Sequence, residues 1–170
     1  MTSVHIGLDR GDATVAAAEH WLHELLADID PTDVMACTHF VSTPTPHVAV
    51  SLALPRALTL PDPAAEFAEG ARIARDAHAA GTAGRAVVFP GQDRMTGVMS
   101  VADLLAAGAI DRIRVLGSAA PPAPSTEVDT LGYLRPQWMD GRLTLLTQPA
   151  NSGRLAPFEV ADQRGCCSDH

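Results

Sequence analysis

The stretch that decides the fold runs Val34-Met35-Ala36-Cys37-Thr38-His39-Phe40-Val41, then Ser42-Thr43-Pro44-Thr45-Pro46, then His47-Val48-Ala49-Val50-Ser51-Leu52-Ala53-Leu54. Two apolar runs flank a short segment with two prolines, which reads as strand, turn, strand. Side chains alternate along a strand, so Val48, Val50, Leu52 and Leu54 share one face and His47, Ala49 and Ser51 the other. Met35, Cys37, His39 and Val41 likewise share a face.

Working outward, Val4-His5-Ile6-Gly7-Leu8 alternates and predicts a strand with Val4, Ile6 and Leu8 on one side. Asp12 or Thr14 caps a following helix over about 14–29, with Val15, Ala18, Leu22, Leu25, Leu26 and Ile29 at helical spacing. After the hairpin, Asp62-Pro63 opens a second helix that stops at Gly81, with a stripe of small residues (Gly70, Ala71, Ala74, Ala77) around Phe67. Arg85 to Phe89 reads as a fourth strand. The order is βαββαβ, the split βαβ or ferredoxin-like arrangement of an α+β protein. Both helices are then expected on the face carrying Ile6 and Val50, with the opposite face open.

Ser100 caps a short helix ending at Gly108, and Ile110 to Leu116 predicts another strand, an αβ unit that extends the βαββαβ arrangement to a core of about 3–116. Residues 118–130 are a proline-rich connection. Residues 131–160 read as a three-stranded antiparallel β-meander (131–139, 142–148, 154–160), with Asp140-Gly141 as a hairpin turn. A polar tail, 161–170, ends Cys166-Cys167-Ser168-Asp169-His170. All 170 residues fit one domain.

The composition narrows the chemistry. The formal net charge is −8 and no basic cluster occurs, which argues against nucleic acid and anionic membranes as partners. All 12 Lys+Arg residues are arginine. Without lysine there is no Schiff base to pyridoxal phosphate and no P-loop nucleotide site. No signal-peptide pattern or long apolar run is present, and three cysteines fall short of a disulfide framework, so a cytoplasmic location is expected.

In a ferredoxin-like sheet, Asp9, His39 and His47 meet at one end of the open face. Asp9 and His47 are the candidate catalytic pair, with Asp9 fixing a histidine tautomer for proton transfer. His39 and His47, with Cys37, Cys167 and His170, are the candidate metal ligands, a set compatible with Zn²⁺ or another divalent transition metal. The expected function is a small metal-dependent enzyme acting on a small-molecule ligand. The alternatives are a non-catalytic ligand-binding module or homodimer pairing through the open face, and a soft-metal binder using Cys166 and Cys167. His20, His23 and Glu24 read as a solvated helix face. Gly91 to Gly97, with Asp93, Arg94 and the helix start at Ser100, is positioned for a small anion. Arg135, Trp138, Arg142 and Glu159 lie on the meander, where they pack across strands or line a pocket.

Overall fold

The expected hairpin forms as β2 (Met35–Val41) and β3 (His47–Leu54), antiparallel, with Met35 opposite Ala53 and Val41 opposite His47. β1 (Val4–Asp12) joins the other edge of β3, also antiparallel. The computed structural model describes residues 2–161. Its helices are α1 (Val15–Leu25), α2 (Ala68–Ala80) and α3 (Val101–Ala107). The further strands are β4 (Arg85–Val88), β5 (Val98–Ser100), β6 (Arg112–Val115), β7 (Glu127–Asp129), β8 (Gln137–Met139), β9 (Arg142–Pro149) and β10 (Leu155–Pro157). The protein is mixed α+β, with one ten-stranded sheet ordered β1-β3-β2-β4-β8-β9-β10-β7-β5, and β6 paired to β9.

The middle of this order departs from a ferredoxin-like sheet. β3 lies between β1 and β2, as expected, but β4 pairs with β2 and not with β1. That choice moves a helix. The connections β1-α1-β2 and β3-α2-β4 each join parallel strands across one intervening strand, and both travel the same way along the sheet. Their starting strands, β1 and β3, point in opposite directions. Two crossovers of the same hand must then lie on opposite faces. α1 packs on Leu8, Ala36, Val48, Val50 and Leu52 through Ala18, Leu22 and Leu26. α2 covers the other face, where Ala74 packs with Val41 and Ala49. The face expected to be open is therefore buried by the chain itself, and is not free for pairing two copies.

Local chemistry explains both helices. The Thr14 hydroxyl accepts from the Ala17 N–H at the start of α1. α2 ends at Gly81, whose φ of 64° closes the last turn. α2 also lies unusually close to the sheet. A Cβ on Gly7 would fall 1.8 Å from the Ala71 carbonyl oxygen, and one on Gly70 would fall 2.0 Å from Asp9 Oδ2. Only glycine permits either approach.

The C-terminal meander forms as β8-β9-β10, each pair antiparallel, with β9 close to its expected span and the two outer strands shorter than expected. Its first strand shrinks to Gln137–Met139 because Leu131 (φ 54°) and Gly132 (φ 66°) make a turn. Asp140 and Gly141 both have positive φ, as the hairpin signal requires. The added αβ unit sends β6 to pair with β9, not with β4. The proline-rich connection ends in β7, which pairs with β5 and β10. Phe89, Leu104, Ile113, Val128, Leu143 and Leu145 make a second core in this half. Among the described residues no helix is long and apolar enough to cross a membrane.

Candidate functional site

Pressing α2 onto the sheet encloses a layer of polar side chains, in two clusters. Asp9 and His47 form the first, with His47 Nε2 at 2.7 Å from Asp9 Oδ2. Asp9 Oδ1 accepts from the Gly11 N–H at 2.9 Å. His47 Nδ1 lies 2.6 Å from the Thr45 carbonyl oxygen, which can only accept, so this nitrogen carries a hydrogen. The other nitrogen faces a carboxylate. Both ring nitrogens thus meet acceptors, an arrangement that suits the imidazolium. Burial opposes that charge, but the bonds to Asp9 and Thr45 outweigh it and hold the His47 pKa above the ordinary histidine value. The Phe67 ring packs edge-on at 5.3 Å, and Gly70 sits directly over the pair.

The second cluster is a chain through Ser51, which is fully buried. His39 Nε2 lies 2.7 Å and His78 Nδ1 2.8 Å from Ser51 Oγ. His78 Nε2 then faces Cys37 Sγ at 4.0 Å. Burial pushes His39 down to about 4. Burial, with the nearby His5 and His39, pushes His78 down to about 3. Both rings are neutral near pH 7. Burial raises the Cys37 thiol well above its usual value, so it is not a thiolate. The serine hydroxyl donates to one imidazole and accepts from the other. Two hydrogen placements satisfy this, differing in which nitrogen of each neutral ring carries its hydrogen, so passing from one to the other takes up a proton at His39 Nδ1 and releases one from His78 Nε2.

His78 brings this chain to the surface of a cleft of about 390 Å³, bordered by His5, Asp33, Met35, Trp138 and Gly141. The His5 ring meets His78 edge-on at 5.0 Å, and the Trp138 ring lies 6.1 Å from His78. The Trp138 Nε1 atom is buried without a hydrogen-bond partner, although its N–H is near enough to Cys37 to favour that thiol's ionised form slightly. The cleft shares Asp33 and Pro90 with a neighbouring hollow of about 640 Å³ bordered by Gly91, Gln92, Asp93 and Arg94.

The sequence candidates separate accordingly. Asp9 joins His47, whereas His39 and Cys37 belong to the serine chain. Among the described residues no three His, Cys, Asp or Glu side chains converge to hold a metal ion. Cys166, Cys167 and His170 lie outside the described residues. Arg94 turns its guanidinium to the Ala107 carbonyl, and Ser100 caps α3 by accepting from the Asp103 N–H at 3.0 Å. On the opposite face Arg85 bridges Glu19, Glu159 and Tyr133, and Arg135 binds Glu19 and stacks on Tyr133 at 3.9 Å. Arg135 and Glu159 also border a hollow of about 150 Å³, without Trp138 or Arg142.

Ser51, His78 and His5 are site residues that the sequence reading passed over. A signal existed for one of them. His78 stands four residues beyond Ala74 and seven beyond Ala71, on the small-residue stripe of α2. Comparison with protein-family models, curated proteins and solved structures finds no match to this chain.

Proposed function

We propose that this chain binds a small molecule in the cleft beside His78, and that the His39–Ser51–His78 chain serves proton transfer at that site. The observation that carries the reading is the hydrogen-bonded chain at 2.7 and 2.8 Å on either side of Ser51, whose last imidazole, His78, borders the cleft and spends its second nitrogen only on a long 4.0 Å contact to Cys37 Sγ. A titratable group strongly perturbed by burial at the edge of a cleft is a candidate functional group, and His78 is such a group here. The chain suits proton relay rather than covalent catalysis. Ser51 is enclosed on all sides, so no substrate carbonyl reaches its oxygen. Neutral imidazoles of depressed pKa act better as hydrogen-bond donors or relays than as strong bases.

Asp9 and His47 take a different part in this reading. Both carboxylate oxygens and both ring nitrogens are committed to partners inside the protein. They clasp the bulged end of β1 to the start of β3 beneath α2.

The test is long-range ¹H–¹⁵N NMR of histidine-labelled protein, which reads the protonation of each ring nitrogen. His39 and His78 are expected to be neutral near pH 7. A panel of small polar compounds is then titrated in. Shifts that appear at His78 and travel to His39, and that stop at His78 in Ser51→Ala, support the relay. A panel that moves neither ring, or a charged His78 at neutral pH, overturns it.

A further inference from the structure

Three features of the cleft beside His78 favour positive charge, and they come from different parts of the chain. The first is Asp33, at the end of the turn Pro31–Asp33. It is exposed, borders the cleft and has no ion-pair partner among the described residues. The second is the C-terminal end of α2, whose residues Ala79 and Ala80 form part of the wall. The last carbonyls of a helix carry partial negative charge. The third is the Trp138 ring, which also borders the cleft; an indole π-system attracts cations.

Nothing in the wall opposes them strongly. Among the described residues no arginine borders the cleft, and the chain has no lysine. Arg94, in the adjoining hollow, is committed to the Ala107 carbonyl. His78 is held neutral by burial, so it presents an uncharged imidazole. His5 also borders the cleft, so the test is set above the ordinary histidine range. At longer range the formal charge of −8 draws cations towards the molecule.

We infer that the cleft takes a small organic cation, an amine or amidine, with its charged head between Asp33, the end of α2 and the Trp138 ring. The inference rests on the small-molecule reading of the same cleft and adds the charge class. The remainder of such a ligand has room along the adjoining hollow, past Asp33 and Pro90. Anionic metabolites, phosphate esters among them, are disfavoured by the same three features.

The test compares three probes of nearly equal size at about pH 8, above the ordinary histidine pKa: benzylammonium, benzyl alcohol and benzoate. The readout is the indole ¹⁵N–¹H resonances of full-length protein. Trp138 reports the cleft, and Trp21, on the opposite face, is the internal reference, with assignment by Trp21→Phe. Benzylammonium is expected to shift the Trp138 signal saturably and leave Trp21 unmoved, and Asp33→Asn to weaken binding about tenfold. Among the described residues the Asp33 side chain makes no hydrogen bond or ion pair, so the variant is expected to fold, and an unmoved Trp21 signal checks that it does. Equal or tighter binding of benzoate or benzyl alcohol overturns the charge inference and leaves the small-molecule reading standing. Binding of benzylammonium that is insensitive to Asp33→Asn also overturns it. If no probe moves Trp138, the charge inference falls, and the histidine titration above decides the other reading separately.

Discussion

Acidification should destabilise this protein from the inside, through two imidazoles that resist protonation while folded. His39 and His78 are pushed down to about 4 and about 3. An unfolded histidine titrates near 6.5. A group with a depressed folded pKa adds no pH dependence while both states are neutral. Below the unfolded value, the unfolded chain gains a proton that the folded one refuses. Stability then falls by about 1.4 kcal/mol per pH unit for each such group. At about pH 5 each imidazole has cost about 2 kcal/mol and the pair about 4 kcal/mol. A domain with a total stability of about 5–15 kcal/mol feels that strongly. His47 acts in the other direction. Its raised pKa stabilises the fold fully below the ordinary histidine value, and that contribution is lost as pH climbs through the folded value. Stability should therefore peak near the ordinary histidine pKa and decline on both sides.

The assay is urea unfolding followed by circular dichroism at about pH 7 and about pH 5. His78→Asn keeps a polar atom where Nδ1 meets Ser51 but removes one titrating group. It should recover about 2 kcal/mol of the acid loss seen in the parent. Carboxylate titration is common to both proteins, so the difference between them isolates the histidine. An acid loss equal in parent and variant would refute the reasoning, as would a parent whose stability is flat over this range.

Three more outcomes follow from the packing. Gly70→Ala should destabilise the fold by about 2 kcal/mol or more in the same urea assay, because its Cβ meets Asp9 Oδ2 at 2.0 Å. Arg85→Met should cost about 3 kcal/mol by leaving Glu19 and Glu159 without their shared cation, and pairing it with Glu19→Gln should restore part of that loss. In a Cys166→Ser/Cys167→Ser background, Cys37 should react with a thiol reagent only at the rate of opening or unfolding, since it is fully buried and protonated; rapid labelling of the native protein would contradict this.

The local elements were legible in the sequence because their signals are local. Alternation from Val48 to Leu54 set β3 within its observed limits, and Asp140-Gly141 set the β8–β9 turn. The face sharing of Cys37, His39 and Val41 also follows from alternation alone. What local signals do not carry is the edge to which β4 adds. The order βαββαβ is the same whether β4 lies beside β1 or β2, and the two outcomes differ only in long-range pairing. That choice placed α2 on the opposite face and turned an expected open surface into a buried layer. The candidate site changed with it. Asp9 and His47 met, as expected, but His39 gained Ser51 and His78, which only a covering helix brings within reach. The sequence did contain a hint, in the match between Gly7 on β1 and the Gly70–Ala71–Ala74 stripe on α2. Small residues on two elements mark the place where backbones approach closely.

The two-sided covering of β3 has a dynamic consequence. Seven of its eight residues are buried, and it is hydrogen-bonded along both edges, so its amides belong to the slowest exchanging class and open only with the whole domain. Ser51 sits in this strand, and His39 sits on its immediate neighbour. His78, by contrast, is the one member carried by a helix, in the last turn of α2, which Gly81 closes. Two members therefore move with the sheet and the third with α2, so in the proposed relay any displacement of α2 on the sheet would break the chain at the Ser51–His78 contact.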